Sequence, residues 1–247
     1  MAGHKMNKGI AGDIEILADP AAVTARAVEV IAADMKGCKA PFRLVLAGGS
    51  TPRPVYHALA QRHDLPWDCV ELFFGDERFV PPEDKDSNYR MARENLLSGG
   101  IAPRGLFAIP TDGTPEQAAD AYEEILRQQY GASQLEPGVP LFDLLLLGMG
   151  DDGHTASLLP GQPVLNERKR WVAAVPEGRD EPRITLTYPA LQSSRRILFL
   201  VTGAAKRDAL AQARGGSLPA GGIRPEGQVL WLVDQAAAGE ADQGYGF

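Results

Sequence analysis

A short apolar run in the second half of the chain ends abruptly at glycines. Four consecutive leucines at residues 144–147 are followed within three positions by two glycines. An uninterrupted apolar run of this length predicts a strand that is buried on both faces of a parallel sheet. Asp151, Asp152 and His154 come directly afterwards, at the carboxyl edge of the strand, where open α/β sheets place their ligands. We therefore expect the active-site loop here.

The residue types in this loop suit acid–base chemistry. A carboxylate beside an imidazole fixes its tautomer and stabilises the imidazolium, and glycines let backbone amides approach a substrate oxygen closely. Neutral imidazole is also a stronger base near neutral pH than an unperturbed carboxylate, which favours His154 as general base and Asp152 as its orienting group. The residues alone leave a second interpretation open, in which Asp152 caps a helix that begins near His154 and the histidine only packs.

A second strand, predicted at residues 42–47, ends in Gly48-Gly49-Ser50-Thr51 and leads into a helix. Exposed backbone N–H groups, two hydroxyls and the positive end of a helix together form a phosphate-binding turn. It is not a P-loop, because no Gly-Lys-Ser/Thr follows. An ordinary turn with a helix cap is the alternative.

Apolar runs and helical patterns alternate along the rest of the chain. The predicted strands include residues 13–17, 70–74, 106–109, 171–175, 184–186, 196–202 and 229–233, and the predicted helices include residues 54–61, 89–97 and 115–130. This alternation predicts an α/β fold with an open, mainly parallel, Rossmann-like sheet and helices on both faces. The spacing in GMGDDG does not fit the dinucleotide fingerprint, so we expect no nicotinamide cofactor.

Length, charge and cysteine content indicate the domain organisation and exclude several classes of partner. The 247 residues are expected to form a flexible leader at 1–12 and a single domain at 13–247. The formal net charge of −7 argues against a nucleic-acid partner.

No stretch reaches the ~18 apolar residues that cross a membrane, and no secretory signal is evident, so we expect a cytoplasmic protein. Cys38 and Cys69 lack metal-type spacing, and we predict no metal site.

Several segments together resemble the 6-phosphogluconolactonases, whose superfamily also contains the glucosamine-6-phosphate deaminases. The central one is GMGDDGHTASLLP, and the others are LAGGSTPRPVYHAL, FFGDERFVPPEDKDSNYRMARENLL, RITLTYPAL and RPEGQVLWLVDQAA. The resemblance covers nearly the whole chain. It implies hydrolysis of 6-phospho-D-glucono-1,5-lactone to 6-phospho-D-gluconate without a cofactor, as a functional neighbour of glucose-6-phosphate dehydrogenase in the oxidative pentose phosphate pathway. No physical complex with that enzyme is implied.

The resemblance also implies where the substrate binds. It assigns the substrate's phosphate to the turn at Gly48, Gly49, Ser50 and Thr51 and to a second ligand, Lys206. It places Asp76 and Arg78, from the Asp-Glu-Arg segment, in the pocket wall. Arg183 is a candidate pocket cation from the residues alone, with a surface salt bridge as the alternative.

Two other functions compete with lactone hydrolysis. A glucosamine-6-phosphate deaminase or isomerase would have a further glutamate shortly after the loop histidine, where this chain has Thr155-Ala156-Ser157-Leu158-Leu159. A non-catalytic sugar-phosphate sensor would be expected to carry a DNA-binding helix pair or a basic extension, and neither is evident. One position departs from the lactonase pattern, because Asp151 stands where the family usually has proline.

Overall fold

Seven parallel strands of the described residues form a central sheet. The computed structural model describes residues 12–37 and 41–239, so the predicted leader, apart from Gly12, and Cys38 lie outside the described residues. In chain order the strands of this sheet are β1 (Asp13–Leu17), β2 (Phe42–Leu46), β3 (Val70–Phe74), β5 (Gly105–Phe107), β6 (Phe142–Gly148), β9 (Ser194–Val201) and β10 (Gln228–Asp234). Their spatial order is β1-β10-β9-β6-β2-β3-β5, and every pairing is parallel. The predicted α/β fold is confirmed.

In the part of the chain that the structure describes, seven α-helices connect or follow the strands. They are α1 (Pro20–Lys36), α2 (Pro52–Ala60), α3 (Asn88–Asn95), α4 (Pro115–Tyr130), α5 (Tyr188–Gln192), α6 (Arg207–Arg214) and α7 (Gln235–Ala238). The strands that follow β2 in the chain, β3 and β5, lie successively closer to one edge of the sheet. The strands that follow β6, β9 and β10, lie successively closer to the other edge. Because crossovers between parallel strands are right-handed, helices that follow these two directions belong on opposite faces of the sheet.

The sequence explains where the longer helices begin. The Asp19 side chain accepts a hydrogen bond from the Ala22 amide at 2.8 Å, directly before Pro20 in the first turn of α1. Helix α4 begins with a reciprocal capping box between Thr114 and Gln117. A cap side chain satisfies amides that lack an intrahelical partner, and the missing N–H of a first-turn proline costs nothing there.

A small antiparallel sheet was not predicted. Strands β4 (Asp76–Arg78), β8 (Arg183–Leu186) and β7 (Val172–Val175) pair in the order β4-β8-β7, with Asp76 opposite Thr185 and Arg78 opposite Arg183. The three-residue polar segment β4 carries no strand signal of its own, and its pairing partner lies about a hundred positions away in the chain. This sheet brings two arginines from distant segments side by side.

The leucine run occupies the middle of the core. The side chains at residues 144–147 are at most 2% exposed, because β6 lies between β9 and β2 and helices cover the sheet. This burial explains why the run is apolar without alternation. Among the described residues, no helix is both long enough and apolar enough to cross a membrane. The predicted single-domain organisation of residues 13–247 stays a prediction.

Candidate active site

The site lies where the direction of the chain through the sheet reverses. Strands β2 and β6 are neighbours, and successive strands run outward from them to opposite edges. At such a switch point the loops that follow the two strands diverge and leave a crevice beyond the carboxyl ends. The loops here are the two glycine-rich turns singled out in the sequence, and a cavity of about 220 Å³ opens between them.

This cavity collects nearly all of the predicted site residues. Those that line it are Gly48, Gly49, Ser50, Thr51, Asp76, Arg78, His154, Arg183 and Lys206. Asp152 does not line the cavity and instead contacts the His154 ring from behind. A larger groove of about 630 Å³ lies at the opposite edge of the sheet, beside the amino ends of β9 and β10. That edge is not where open α/β sheets bind ligands, so we assign the site to the smaller cavity.

Asp152 holds the imidazole of His154. The Nδ1 atom of His154 lies 2.5 Å from Asp152 Oδ1, and the same oxygen accepts the His154 backbone amide at 3.1 Å. No helix begins near His154, so the helix-cap interpretation of Asp152 is wrong. Gly150 is required beneath this pair, because a Cβ atom there would lie 2.1 Å from Nδ1 and 2.6 Å from Asp152 Oδ1.

Asp152 is an ionised hydrogen-bond acceptor. Its partial burial would raise its pKa, but hydrogen bonds from the His154 amide, from Arg179 and from the His154 ring lower the pKa to about 2. Arg179 Nη2 donates to Asp152 Oδ2 at 2.5 Å. No motif in the sequence predicts a role for Arg179. The one available signal was its position in a charged segment between two predicted strands. Because 25 positions in the sequence separate Arg179 from His154, nothing local indicates their contact.

A buried network fixes the carboxylate of Asp76. The Ser157 hydroxyl donates to Asp76 Oδ2 at 2.6 Å, and Asn88 Nδ2 donates to the Asp76 carbonyl at 2.9 Å and to Oδ1 at 3.3 Å. All three side chains are buried. Asp76 therefore faces the cavity in one orientation. Ser157 was missed because a serine in a loop gives no indication of a contact with a residue 81 positions away.

Glu77 faces away from the cavity and secures the adjoining segment. Its carboxylate accepts the amides of Arg78, Asn88 and Tyr89 at 2.7–2.8 Å, and the Ser87 hydroxyl at 3.1 Å. Burial raises the pKa of Glu77, and these hydrogen bonds oppose that rise. By joining β4 to the start of α3, Glu77 sets the backbone from which Arg78 extends.

Two guanidinium groups form one wall of the cavity. Arg78 Nη1 donates to the Asp86 carbonyl at 2.6 Å, and Arg183 forms a long ion pair of 4.0 Å with Glu181. The buried Nε atoms of both arginines have no hydrogen-bond partner among the described residues. Burial lowers the pKa of Arg183 while the Asp76 charge raises it, and a guanidinium stays protonated in either case. The wall therefore has donors to offer to substrate oxygens.

The opposite wall consists of the turns that follow β2 and β9. A Cβ atom at Gly48 would lie 2.2 Å from Asn88 Oδ1, and Gly49 has a φ of +97°, so both positions need glycine. Thr51 precedes α2 without a side-chain cap, and its hydroxyl instead lies 3.1 Å from that of Thr202. The ordinary-cap interpretation of this turn is therefore wrong for Thr51.

Lys206 reaches the same wall from the turn after β9. The Asp234 carboxylate accepts the Gly203 amide with both oxygens at 3.0 Å, which anchors the start of that turn. The Thr51–Thr202 contact joins it to the turn after β2. Within the described residues, no three His, Cys, Asp or Glu side chains are arranged to hold a metal ion.

Comparison with known proteins places the chain in a family. The sequence profile of the glucosamine-6-phosphate isomerases and 6-phosphogluconolactonases matches residues 18–231. The chain belongs to this glucosamine-6-phosphate isomerase/6-phosphogluconolactonase family. The family resemblance predicted from the sequence motifs is thereby confirmed.

Relatives within the family share most of their length with this chain. A 6-phosphogluconolactonase from a Nostoc species is 40% identical over 92% of this chain and 97% of its own length. One from a Synechocystis species is 42% identical over 87% of this chain and 89% of its own. The solved structure of 6-phosphogluconolactonase from Trypanosoma cruzi superposes with a TM-score of 0.85 at 28% identity, and the match covers 97% of this chain and all of that one.

Proposed function

We propose that the chain hydrolyses 6-phospho-D-glucono-1,5-lactone to 6-phospho-D-gluconate, the lactonase step of the oxidative pentose phosphate pathway. Family membership and relatives named 6-phosphogluconolactonase support this reaction. The observation that carries the mechanism is the 2.5 Å contact between His154 Nδ1 and an ionised Asp152, at the edge of a cavity lined by cations. The cytoplasmic location stays a prediction.

The contact decides which nitrogen of His154 acts as the base. An ionised carboxylate only accepts hydrogen bonds, so Nδ1 carries the proton that Asp152 Oδ1 accepts. The lone pair of the neutral ring is then on Nε2. A histidine held in this tautomer is ready to remove a proton from water without first reorienting.

Hydrolysis then proceeds in two steps. Nε2 takes a proton from water as the water oxygen bonds to the lactone carbonyl carbon, and the carbonyl π electrons move onto its oxygen. The imidazolium next gives its proton to the ring oxygen as the carbonyl re-forms and the bond from that carbon to the ring oxygen breaks. Arg78 or loop amides stabilise the oxyanion, and Asp152 stabilises the imidazolium in between.

The opposite wall binds the phosphate. Ser50 and Thr51 offer hydroxyls, the N-terminus of α2 contributes partial positive charge, and Lys206 adds a full positive charge. Arg183 and Asp76 are left to orient the sugar oxygens between the two walls. Binding the phosphate far from the reacting carbonyl fixes the lactone relative to His154, which is how remote binding energy serves catalysis.

The deaminase alternative has less support. Leu158 and Leu159, in the stretch where a deaminase would have its further glutamate, are both buried in the core. The segment 155–159 has no acidic side chain that could move a proton between neighbouring sugar carbons.

The reaction is tested with lactone made in situ by glucose-6-phosphate dehydrogenase. We expect the lactone to disappear faster with the purified chain than in the buffer control, and the His154→Ala variant to fall close to that control. Lactone decay that is no faster with the wild-type chain than without it would contradict the proposed function. Ammonia release from glucosamine 6-phosphate by the same preparation would instead support the deaminase alternative.

A further inference from the structure

Arg179 contacts both members of the His154–Asp152 pair. Its Nη2 atom lies 2.5 Å from Asp152 Oδ2 and 3.3 Å from His154 Nδ1. Because Nδ1 already donates its proton to Asp152, the longer of these contacts is a close approach of a cation to the ring edge and not a second hydrogen bond. Arg179 therefore acts on the ring both through Asp152 and through its charge.

The loop that carries Arg179 is built to hold it there. Gly178 has a φ of +96°, and a Cβ atom in its place would lie 2.8 Å from Gln162 Nε2 and 3.2 Å from Leu159 Cδ1. The loop backbone thus packs closely against the segment that follows the His154 loop. Arg179 Nη1 also donates to the Gly178 carbonyl at 3.0 Å, which limits the rotation of the side chain.

We propose that Arg179 is a positioning residue for the reaction: it fixes Asp152 so that His154 keeps its proton on Nδ1, and its charge opposes protonation of Nε2. This inference rests on the proposed role of His154 as general base. With one carboxylate oxygen bound to the ring and the other to Arg179, Asp152 cannot rotate out of the plane that orients the imidazole. Without Arg179, both the orientation and the resistance to protonation weaken.

The geometry favours this role over substrate binding. Arg179 does not line the cavity, and each of its two Nη atoms already has a protein acceptor. Arg78 and Arg183, by contrast, line the cavity and keep Nε donors without a partner among the described residues.

The charged groups near His154 come from its own loop, from the Arg179 segment and from the two walls of the cavity. Asp151 and Asp152 lie on its own loop, Asp180 and Glu181 follow Arg179, and the facing walls contribute Asp76, Arg78, Arg183 and Lys206. Among the described residues, Asp152 and Arg179 are the charged groups within hydrogen-bond distance of the ring. Removal of the Arg179 charge should therefore change the protonation of the ring directly, since a neighbouring positive charge disfavours the imidazolium.

The test compares Arg179→Met, Arg179→Lys and wild type by two measurements: the pH profile of kcat, and the titration of the histidine rings followed by NMR. In Arg179→Met we expect the acid limb of kcat and the His154 titration midpoint to move up by about 0.5 to 1 pH unit. We expect kcat on the plateau to fall about two- to fivefold with KM little changed. Arg179→Lys, which keeps the charge, should restore most of the midpoint but less of kcat.

The matched control is Arg195→Met, which removes an exposed, ion-paired arginine at the far edge of the sheet and should leave both measurements unchanged. Since Arg179 is itself 36% exposed, we expect its variants to fold, and a thermal melt checks this. An unchanged midpoint in folded Arg179→Met, or a rise in KM with kcat intact, would overturn the proposal. The NMR titration reports on Arg179 even if His154 proves not to be the base, so the two hypotheses fail separately.

Discussion

The two walls of the cavity are held in opposite ways. On the wall that carries His154, the imidazole and the carboxylates are already paired: Asp152 with the ring, and Asp76 with Ser157 and Asn88. On the wall that carries Lys206, protein contacts fix the backbone of the turns, and the cation itself is left to the cavity. No hydrogen bond or ion pair of the Lys206 side chain occurs among the described residues.

This difference matches the two tasks of the site. A general base must be oriented before the substrate arrives, because reorientation during the reaction raises the barrier. A protein group that binds phosphate must instead be free to form its contacts when the anion arrives. Its position is set by the turn backbone, whose conformation depends on glycines and on the hydrogen bonds to Asp234. We therefore expect variants of the His154 wall to affect turnover and variants of the Lys206 wall to affect binding.

The largest effect is expected for His154→Ala. General base catalysis contributes ~10² to 10⁴ in rate, so kcat should fall by about that factor while KM changes little. Steady-state kinetics on the lactone measures both constants. His63→Ala, which removes an exposed histidine far from the cavity, is the control and should behave like wild type. Near-normal turnover of folded His154→Ala would contradict the assignment of catalysis to the His154 wall.

The next largest effect is expected for Lys206→Ala. A charge-assisted contact contributes about 1.5 to 3 kcal/mol, so kcat/KM should fall roughly ten- to a hundredfold, mainly through KM. Lys169→Ala removes an exposed lysine elsewhere and serves as the control. Kinetics that match wild type would remove Lys206 from the phosphate site, and a fall in kcat at unchanged KM would place it with the catalytic wall.

The same two walls show what the sequence could and could not predict. Strand-to-turn transitions are local, so the apolar run before Gly148 and the turn at Gly48 identified both halves of the cavity. Pairings between distant segments have no local signature, so the sequence predicts neither the strand β4 nor the contacts of Ser157 and Arg179. A three-residue polar strand forms only because β8 offers it hydrogen-bond partners.

The pairing of Asp152 also predicts a pH dependence of stability. An unfolded aspartate titrates near pH 3.9, whereas hydrogen bonds lower the pKa of Asp152 to about 2 in the folded chain. Its contribution to the free energy of unfolding is therefore complete above about pH 4 to 5, and is lost as the pH falls towards 2. Denaturant titrations should find Asp152→Asn less stable than wild type at pH 6, with the difference shrinking at low pH. A difference that grows at low pH would contradict this pairing.

The smallest effect concerns Asp151, the departure from the family pattern. Asp151 is exposed and lines the cavity, where its negative charge repels an anionic substrate. Because exposed charges interact by about 0.2 to 1 kcal/mol, Asp151→Asn should lower KM up to about fivefold without changing kcat. Asp68→Asn, at an exposed carboxylate outside the cavity, is the control. A rise in KM would show that Asp151 contributes a favourable contact.

The division of the site into a binding wall and a catalytic wall is tested most directly by calorimetric titration of the product, 6-phospho-D-gluconate, into wild type, His154→Ala and Lys206→Ala. Product binding needs the phosphate contacts but no proton transfer. We predict that His154→Ala binds with a Kd within about threefold of wild type, and that Lys206→Ala binds roughly ten- to a hundredfold more weakly. Equal weakening in both variants, or wild-type affinity in Lys206→Ala, would contradict the account.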